Sequence, residues 1–167
     1  MLNKTFVILG KEIPEGTRTI LDLEVAKLHT RTTVKIPVII ERSKNPGPVV
    51  LLLAGIHGDE AAPCWSMLHW AERNADLFKH IPIVIYPCLN PWGFINNCRA
   101  DMNGEDLNRL WGNPMHPLLG EIILRLKNLT FRLSLNLHED FDANGIYLYE
   151  PCQDAESGCW AEEILMT

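Results

Sequence analysis

A chain of 167 residues is long enough for one domain with a real core. Its 15 Lys and Arg against 21 Asp and Glu give a formal net charge of −6, spread through the sequence, and no basic stripe marks a nucleic-acid surface. No apolar stretch approaches the ~20 residues that span a bilayer, no basic and then apolar leader opens the chain, and Cys64, Cys88, Cys98, Cys152 and Cys159 form no C-x-x-C pair, which together predict reduced thiols in a cytoplasmic protein with neither membrane nor nucleic acid as partner.

The first segment reads as β-rich: residues 6–9, 18–25 and 33–40 alternate or run with β-branched side chains, and Pro37 predicts an edge position for the third. Residues 44–48, rich in Pro, Gly and Asn, form a turn or short linker. Residues 49–54 are apolar throughout, the pattern of a strand buried on both faces. Pro63 suits a first helical turn, and Trp65, Leu68 and Ala71 continue at helical spacing. Residues 81–86 form another apolar strand. The chain breaks at Asn90-Pro91 and reads as irregular through about Asn113, a length that points to function or disorder. Residues 117–129 are predicted helix, 132–137 strand, 145–149 a further strand and 155–166 helix. Alternation of strand and helix after Pro48 predicts an α/β body with a mixed, largely parallel twisted sheet. We expect a single domain over 1–167, with a β-rich N-terminal segment (1–45) and a body (46–167) that carries the site.

Two of the predicted strands end on chemistry. The run Leu51-Leu-Leu-Ala-Gly-Ile-His-Gly-Asp-Glu60 delivers His57 and Glu60, and Leu133-Ser-Leu-Asn-Leu-His138 delivers His138. In open α/β sheets sites form at the carboxyl ends of strands. Two imidazoles and one carboxylate are the ligand set of a catalytic zinc ion with one coordination position open. Gly55 and Gly58 relieve a sharp turn around His57, and Asp59 is a candidate to orient a ligand by hydrogen bonding. A second H-x-x-E, His69-Trp-Ala-Glu72, falls in the middle of a predicted helix and reads as an interfacial or surface pair. In the middle segment, Arg109 with Asn108 beside it is a candidate clamp for a free carboxylate. Arg99 is a candidate partner for a developing oxyanion. The bland alternative is that both are solvated loop charges. Asp106 fits a loop brace through backbone hydrogen bonds.

His57-Gly-Asp-Glu60, Asn90-Pro-Trp-Gly93, Arg99, Gly104-Glu-Asp-Leu-Asn-Arg109 and His138 stand in the order seen in the zinc carboxypeptidase superfamily. The wording Ala54-Gly-Ile-His-Gly-Asp-Glu60 and the short distance to His138 look more like its succinylglutamate desuccinylase/aspartoacylase branch. Leu137-His-Glu-Asp140 followed by Gly145-Ile-Tyr-Leu-Tyr-Glu150 also resembles bacterial carboxypeptidase-like members. The resemblance covers roughly residues 49–150. It implies an α/β fold with helices on both faces of a mixed sheet, and one zinc ion per chain held by His57, Glu60 and His138. It implies Arg99 as oxyanion partner and Asn108 with Arg109 as carboxylate clamp. The implied reaction is hydrolysis of an amide next to a free carboxylate, in an N-acyl amino acid or at a peptide C-terminus.

The family's general base lies in a later strand, and this chain runs only to Thr167. We therefore expect the block with the base to be absent, and the base is unassigned. If its strand continues, Glu139 points opposite to His138; Asp140 shares the face of His138 and is expected beside the ligands rather than as base. Glu150 is remote, and Glu156, Glu162 and Glu163 sit on a predicted helix. Missing final strands would leave a bare sheet edge, so the chain is expected to be a truncated product or to pair with another copy or another chain. The alternative function is a metal- or ligand-binding remnant without turnover.

Overall fold

Five strands form one mixed sheet: β1 (Arg18–Lys27), β2 (Thr33–Glu41), β3 (Val49–Ala54), β4 (Ile83–Tyr86) and β5 (Phe131–Leu137), in the order β1-β2-β4-β3-β5. β1 pairs with β2 and β2 with β4 antiparallel, whereas β3 lies parallel to both β4 and β5. The helices are α1 (Ala61–Arg73), α2 (Pro91–Asn96) and α3 (Pro117–Leu126). The computed structural model describes residues 18–27, 33–41, 47–74, 76, 77, 80–150 and 164. Among these, no helix is long and apolar enough to cross a membrane.

β3 is apolar at every position because both of its faces are covered. Leu51 and Leu53 pack with Val84 and Tyr86 against Leu118, Leu119 and Ile122 of α3. The alternate residues Leu52 and Ala54 pack with Ile83 and Ile85 against Met67, Leu68 and Ala71 of α1. Period-two side chains on β3 thus feed two cores, one under each helix. The helices lie on both faces of the sheet, as the resemblance implies. β5 differs: its side chains alternate between exposed and half-buried, and among the described residues no strand pairs with its outer edge.

Several expectations are corrected. β2 is an inner strand, but its pairing with β4 is confined to Ile39–Glu41, so among the described residues Pro37 has only β1 beside it and the missing N–H breaks no bond to β4. On α1 the buried stripe is Cys64, Met67, Leu68 and Ala71; Trp65 stands one step off it, partly exposed, with its ring 6.2 Å from that of Phe94. The stretch read as irregular from Asn90 contains α2. Its Asn90 cap accepts a hydrogen bond from the Gly93 N–H at 2.9 Å, and Pro91 opens the first turn. Residues 145–149 form no strand; Ile146 and Tyr149 are almost fully exposed, for want of a neighbour to pair with among the described residues. The predicted strand 6–9 and most of the linker 44–48 lie outside the described residues, as does the predicted helix 155–166 apart from Ile164, which is helical.

Candidate metal centre

The parallel register sets Ala54 of β3 beside Leu137 of β5, so the segments that follow both strands emerge together at the carboxyl edge of the sheet. Gly55 turns the chain with φ +65°, and a Cβ there would lie 2.5 Å from Cys64 Sγ. The Leu89 and Asn90 N–H groups donate to the Ala54 and Gly55 carbonyls at 2.9 and 2.8 Å, tying the end of β3 to the chain after β4. Gly58 lies directly on the backbone of Gly93; a Cβ at 58 would sit 2.0 Å from the Gly93 carbonyl carbon. This pinned turn delivers His57 and then Glu60, which stands at the head of α1. His138 is the first residue beyond β5.

The two imidazoles converge on one carboxylate. His57 Nδ1 lies 2.6 Å from Glu60 Oε1, and His138 Nδ1 lies 2.9 Å from Glu60 Oε2. The ring centroids are 4.9 Å apart, and one ligand atom from each of the three residues lies within 4.8 Å of the others. His57 and Glu60 are buried, while the side chain of His138 keeps 34% of its surface exposed, so the group opens on the β5 side. Two neutral-capable nitrogens and one carboxylate, with one open side, match what zinc accepts.

A second ring of contacts orients these groups. His57 Nε2 faces Asp106 Oδ1 at 3.3 Å. The other Asp106 oxygen accepts from Arg99 Nε at 3.1 Å and lies 3.0 Å from its Nη2. Arg99 Nη1 lies 4.0 Å from Glu60 Oε1. Asp106 also accepts from the Asn108 N–H at 3.0 Å, which is the backbone brace expected of it. Partial burial works against ionisation of Asp106, but the Arg99 hydrogen bond and charge outweigh it and hold the carboxyl below its usual range. His138 Nε2 faces the Asn136 side-chain amide at 3.1 Å.

Buried Asn90 holds the neighbouring loop. Its Nδ2 donates to the carbonyls of Ala100 and Arg99 at 3.1 and 3.4 Å while its Oδ1 caps α2. Asp101 shapes the next turn, accepting from the Asn103 and Glu105 N–H groups at 2.8 and 2.9 Å. Asp101, Glu105 and His116 form a second histidine–carboxylate group, with His116 Nε2 at 3.7 and 3.5 Å from the two carboxylates. There His116 Nδ1 accepts from the Leu119 N–H at 3.3 Å, as the cap of α3. A metal-binding imidazole donates through its second nitrogen; this one accepts, which suits a loop anchor and not a ligand set.

The remaining predicted residues are spread around the centre. Glu139 is engaged at the head of α1: its carboxylate accepts from the Ala62 N–H at 3.2 Å, while its own N–H donates to Glu60 Oε2 at 3.2 Å. Asp140 accepts from the Tyr147 hydroxyl at 2.6 Å and the Asp142 N–H at 2.9 Å. The Tyr147 bond holds the Asp140 carboxyl low and pushes the phenol up to about 12. Asp59 Oδ1 is buried without a hydrogen-bond partner among the described residues. Asn108 is exposed and lines an open groove of about 720 Å³ with Trp111, Ser134 and Asn136. Arg109 is exposed, and no ion pair to it forms among the described residues. His69 and Glu72 are the surface pair expected, 3.7 Å apart and largely exposed. Sequence reasoning missed Asn90 as loop holder, the link from Asp106 to His57, and Asn136; the last had a signal, since it stands two residues before His138 on one strand face.

This α/β fold, with His-x-x-Glu and a strand-end histidine at the carboxyl edge of its sheet, is similar to that of solved metallo-carboxypeptidases. The model of the succinylglutamate desuccinylase/aspartoacylase catalytic domain matches residues 46–143, and the chain belongs to that family. Cytosolic carboxypeptidase 1 of Danio rerio is 38% identical over 88 residues, covering 43% of this chain and 7% of its own length. A protein from Shewanella baltica described as a metallopeptidase has a similar fold, with a TM-score of 0.69 at 24% identity, covering 98% of this chain and 62% of the other. A metallo-carboxypeptidase from Pseudomonas aeruginosa, solved in complex with (2-guanidinoethylmercapto)succinic acid, gives 0.57 at 25% identity, covering 65% of this chain and 32% of the other. The chain thus spans less than two thirds of each of these relatives.

Proposed function

We propose that this chain carries the metal site of a zinc-dependent hydrolase that cleaves an amide next to a free carboxylate, as an N-acyl amino acid deacylase or a carboxypeptidase does. The observation that carries this reading is the convergence of His57 Nδ1 and His138 Nδ1 on the two oxygens of Glu60. These three side chains would hold the ion; zinc bound there supplies Lewis-acid polarisation of a carbonyl and a bound water acidic enough to react near neutral pH. With His57 Nδ1 on the ion, the proton on Nε2 would face Asp106 Oδ1, which stands 3.3 Å away and can only accept. Arg99 is braced by Asp106 and by the grip of Asn90 on its carbonyl, which keeps a guanidinium beside the site where charge on an amide oxygen would grow. Arg109 has no competing ion pair among the described residues, which supports its role as a clamp for the substrate carboxylate, with Asn108 beside it. A single sheet that joins the strands of 18–41 to those of 49–137 supports one domain.

A specific observation favours a second reading, a binding protein without turnover. Among the described residues, three carboxylates around the ligands are engaged: Glu139 at the start of α1, Asp140 by Tyr147, and Asp106 by Arg99. None of these three stands free as a general base, and the unpartnered Oδ1 of Asp59 is buried.

Chelator competition and hydrolysis assays separate the readings. We expect about one zinc per chain, with thermal stabilisation of about 2.7 kcal/mol at a hundredfold excess over the Kd. We expect hydrolysis of at least one member of a panel of N-acyl amino acids and peptides, with both properties lost in His57→Ala. Zinc binding without turnover on any member selects the second reading, and failure to bind zinc rejects both.

A further inference from the structure

Past His138 the chain turns back on itself through a short polar clasp. Asp140 Oδ1 accepts from the Asp142 N–H at 2.9 Å, and Asp140 Oδ2 accepts from the Tyr147 hydroxyl at 2.6 Å. The Asp140 carbonyl accepts from the Ala143 N–H at 3.3 Å. The phenol of Tyr147 is thus held against the residue that follows Glu139, and the Glu139 N–H donates to Glu60 Oε2 at 3.2 Å. The Asp140 hydrogen bond pushes the phenol up to about 12, and the Glu60 carboxylate is close enough to add to that push. Tyr147 therefore stands on the β5 side of the ligand group, where that group opens, and 47% of its own surface is exposed.

A hydroxyl has one hydrogen to donate and lone pairs that accept. A carboxylate only accepts, so the Tyr147 hydrogen is committed to Asp140. What the phenol offers a further partner is a lone pair. Arg99 offers the opposite: its Nη1 lies 4.0 Å from Glu60 Oε1, on the His57 side, and a guanidinium only donates. A donor thus stands beyond one oxygen of Glu60 and an acceptor beyond the other. A secondary amide is planar and trans, so its C=O and N–H point in opposite directions. An amide lying between the two groups meets Arg99 with its carbonyl oxygen and Tyr147 with its N–H.

We propose that Tyr147 is a substrate-binding residue whose phenol oxygen accepts from the amide N–H, so that the site selects secondary over tertiary amides. This rests on the amide-hydrolase reading above. N-acyl derivatives of amino acids that keep the N–H fit the pair of groups. N-acyl derivatives of proline or of N-methyl amino acids have no hydrogen to give, and they set carbon against the phenol lone pair. Asp140 acts through Tyr147 as a positioning residue: by taking the phenol hydrogen it keeps the oxygen an acceptor.

The probes are N-acetyl amino acids and their N-methyl counterparts, which lack that one hydrogen. NMR titration of the full chain should show the N–H form bound more tightly by the unsubstituted protein, and Tyr147→Phe should shrink this preference about tenfold. The ring stays in Tyr147→Phe, so any crowding of the methyl group is the same in both proteins. Asp140→Ala keeps the phenol but releases its hydrogen, and should shrink the preference as well. A clasp that only shaped the loop would weaken both forms alike. Absence of a preference in the unsubstituted protein, a preference that survives either substitution, or failure of every probe to bind overturns the proposal. Zinc affinity measured on the same samples judges the metal site separately. Failure to bind zinc rejects that reading, whereas the N–H preference is read both before and after chelator treatment.

Discussion

His57 and Glu60 leave the central strand β3 through a turn pinned by backbone contacts, with a core on each face of the sheet beneath it. His138 leaves β5, an edge strand whose side chains are exposed or half-buried. One arm of the site is therefore held by packing, and the other by a few polar contacts from Glu60, Asn136 and Glu139. Rigidity on one side and openness on the other suit a centre that must keep its geometry yet admit a ligand. The difference also says where substitutions should act on stability and where they should act on binding alone.

Glycine substitutions give the largest contrast. At Gly58 a new Cβ would lie 2.0 Å from the Gly93 backbone, with no flexible side-chain end to yield. Gly58→Ala should cost on the order of 4 kcal/mol or more in denaturant unfolding. Gly145, beyond β5, has open space around its Cβ position, so Gly145→Ala should stay within about 0.5 kcal/mol of the unsubstituted protein. Similar costs at the two positions would mean that the β3 turn is not pinned as described.

Core truncations should repeat the contrast on a smaller scale. Ile85 on β4 is fully buried between β3 and α1, and Ile85→Ala should cost about 3–4 kcal/mol. Leu135 on β5 packs on the same core but is only half-buried. Leu135→Ala should cost about 1–1.5 kcal/mol, since less area leaves water on folding. Chemical unfolding of both variants at equal m-value checks the order.

The same contrast governs what is legible in the amino-acid sequence. β3 and β4 are legible because unbroken apolar runs of strand length have few other homes, β5 because its leucines alternate with polar residues, and the candidate ligand trio because each member stands just past one of these strands. The β3 pattern also implies burial on both faces, which the two cores bear out. Less is legible where the outcome depends on a partner distant in sequence. The stretch 145–149 has strand-like alternation, but a strand needs a neighbour, and none pairs with it among the described residues. α2 is only six residues long, too short for a periodic signal, although Asn90-Pro91 carries the cap and first-turn chemistry that marks it. A loop brace is the natural expectation for Asp106, but its second oxygen and its reach to His57 emerge only once distant stretches of chain fold back on each other.

Tyr86 sharpens the comparison through pH. It is buried under α3 on the packed side, and burial pushes its phenol up to about 12, with Arg125 opposing the shift and Glu121 adding to it. The unfolded phenol ionises near 10. Its folded value is higher, so its contribution is complete below pH 10 and lost as pH rises towards 12. The loss should be about 2–3 kcal/mol of unfolding free energy across that window. Tyr86→Phe should remove that part of the alkaline slope, which unfolding curves from pH 9 to 12 would reveal. An unchanged slope would mean that the phenol reaches water in the folded state.

Glu139 gives the smallest effect and links the two arms. Its carboxylate accepts from the Ala62 N–H in the first turn of α1, where negative charge is also favoured by the helix dipole. Glu139→Ala should cost about 0.5–1 kcal/mol, and Glu139→Gln only a few tenths, because the amide oxygen still accepts while the charge is lost. The Glu139 backbone N–H that donates to Glu60 survives both changes, so zinc affinity should hold within about threefold as the helix cap weakens. A large loss of zinc binding in Glu139→Gln would mean that the β5 arm is positioned by this side chain's charge, and that the polar contacts at Asn136 and the backbone are not what hold His138 in place.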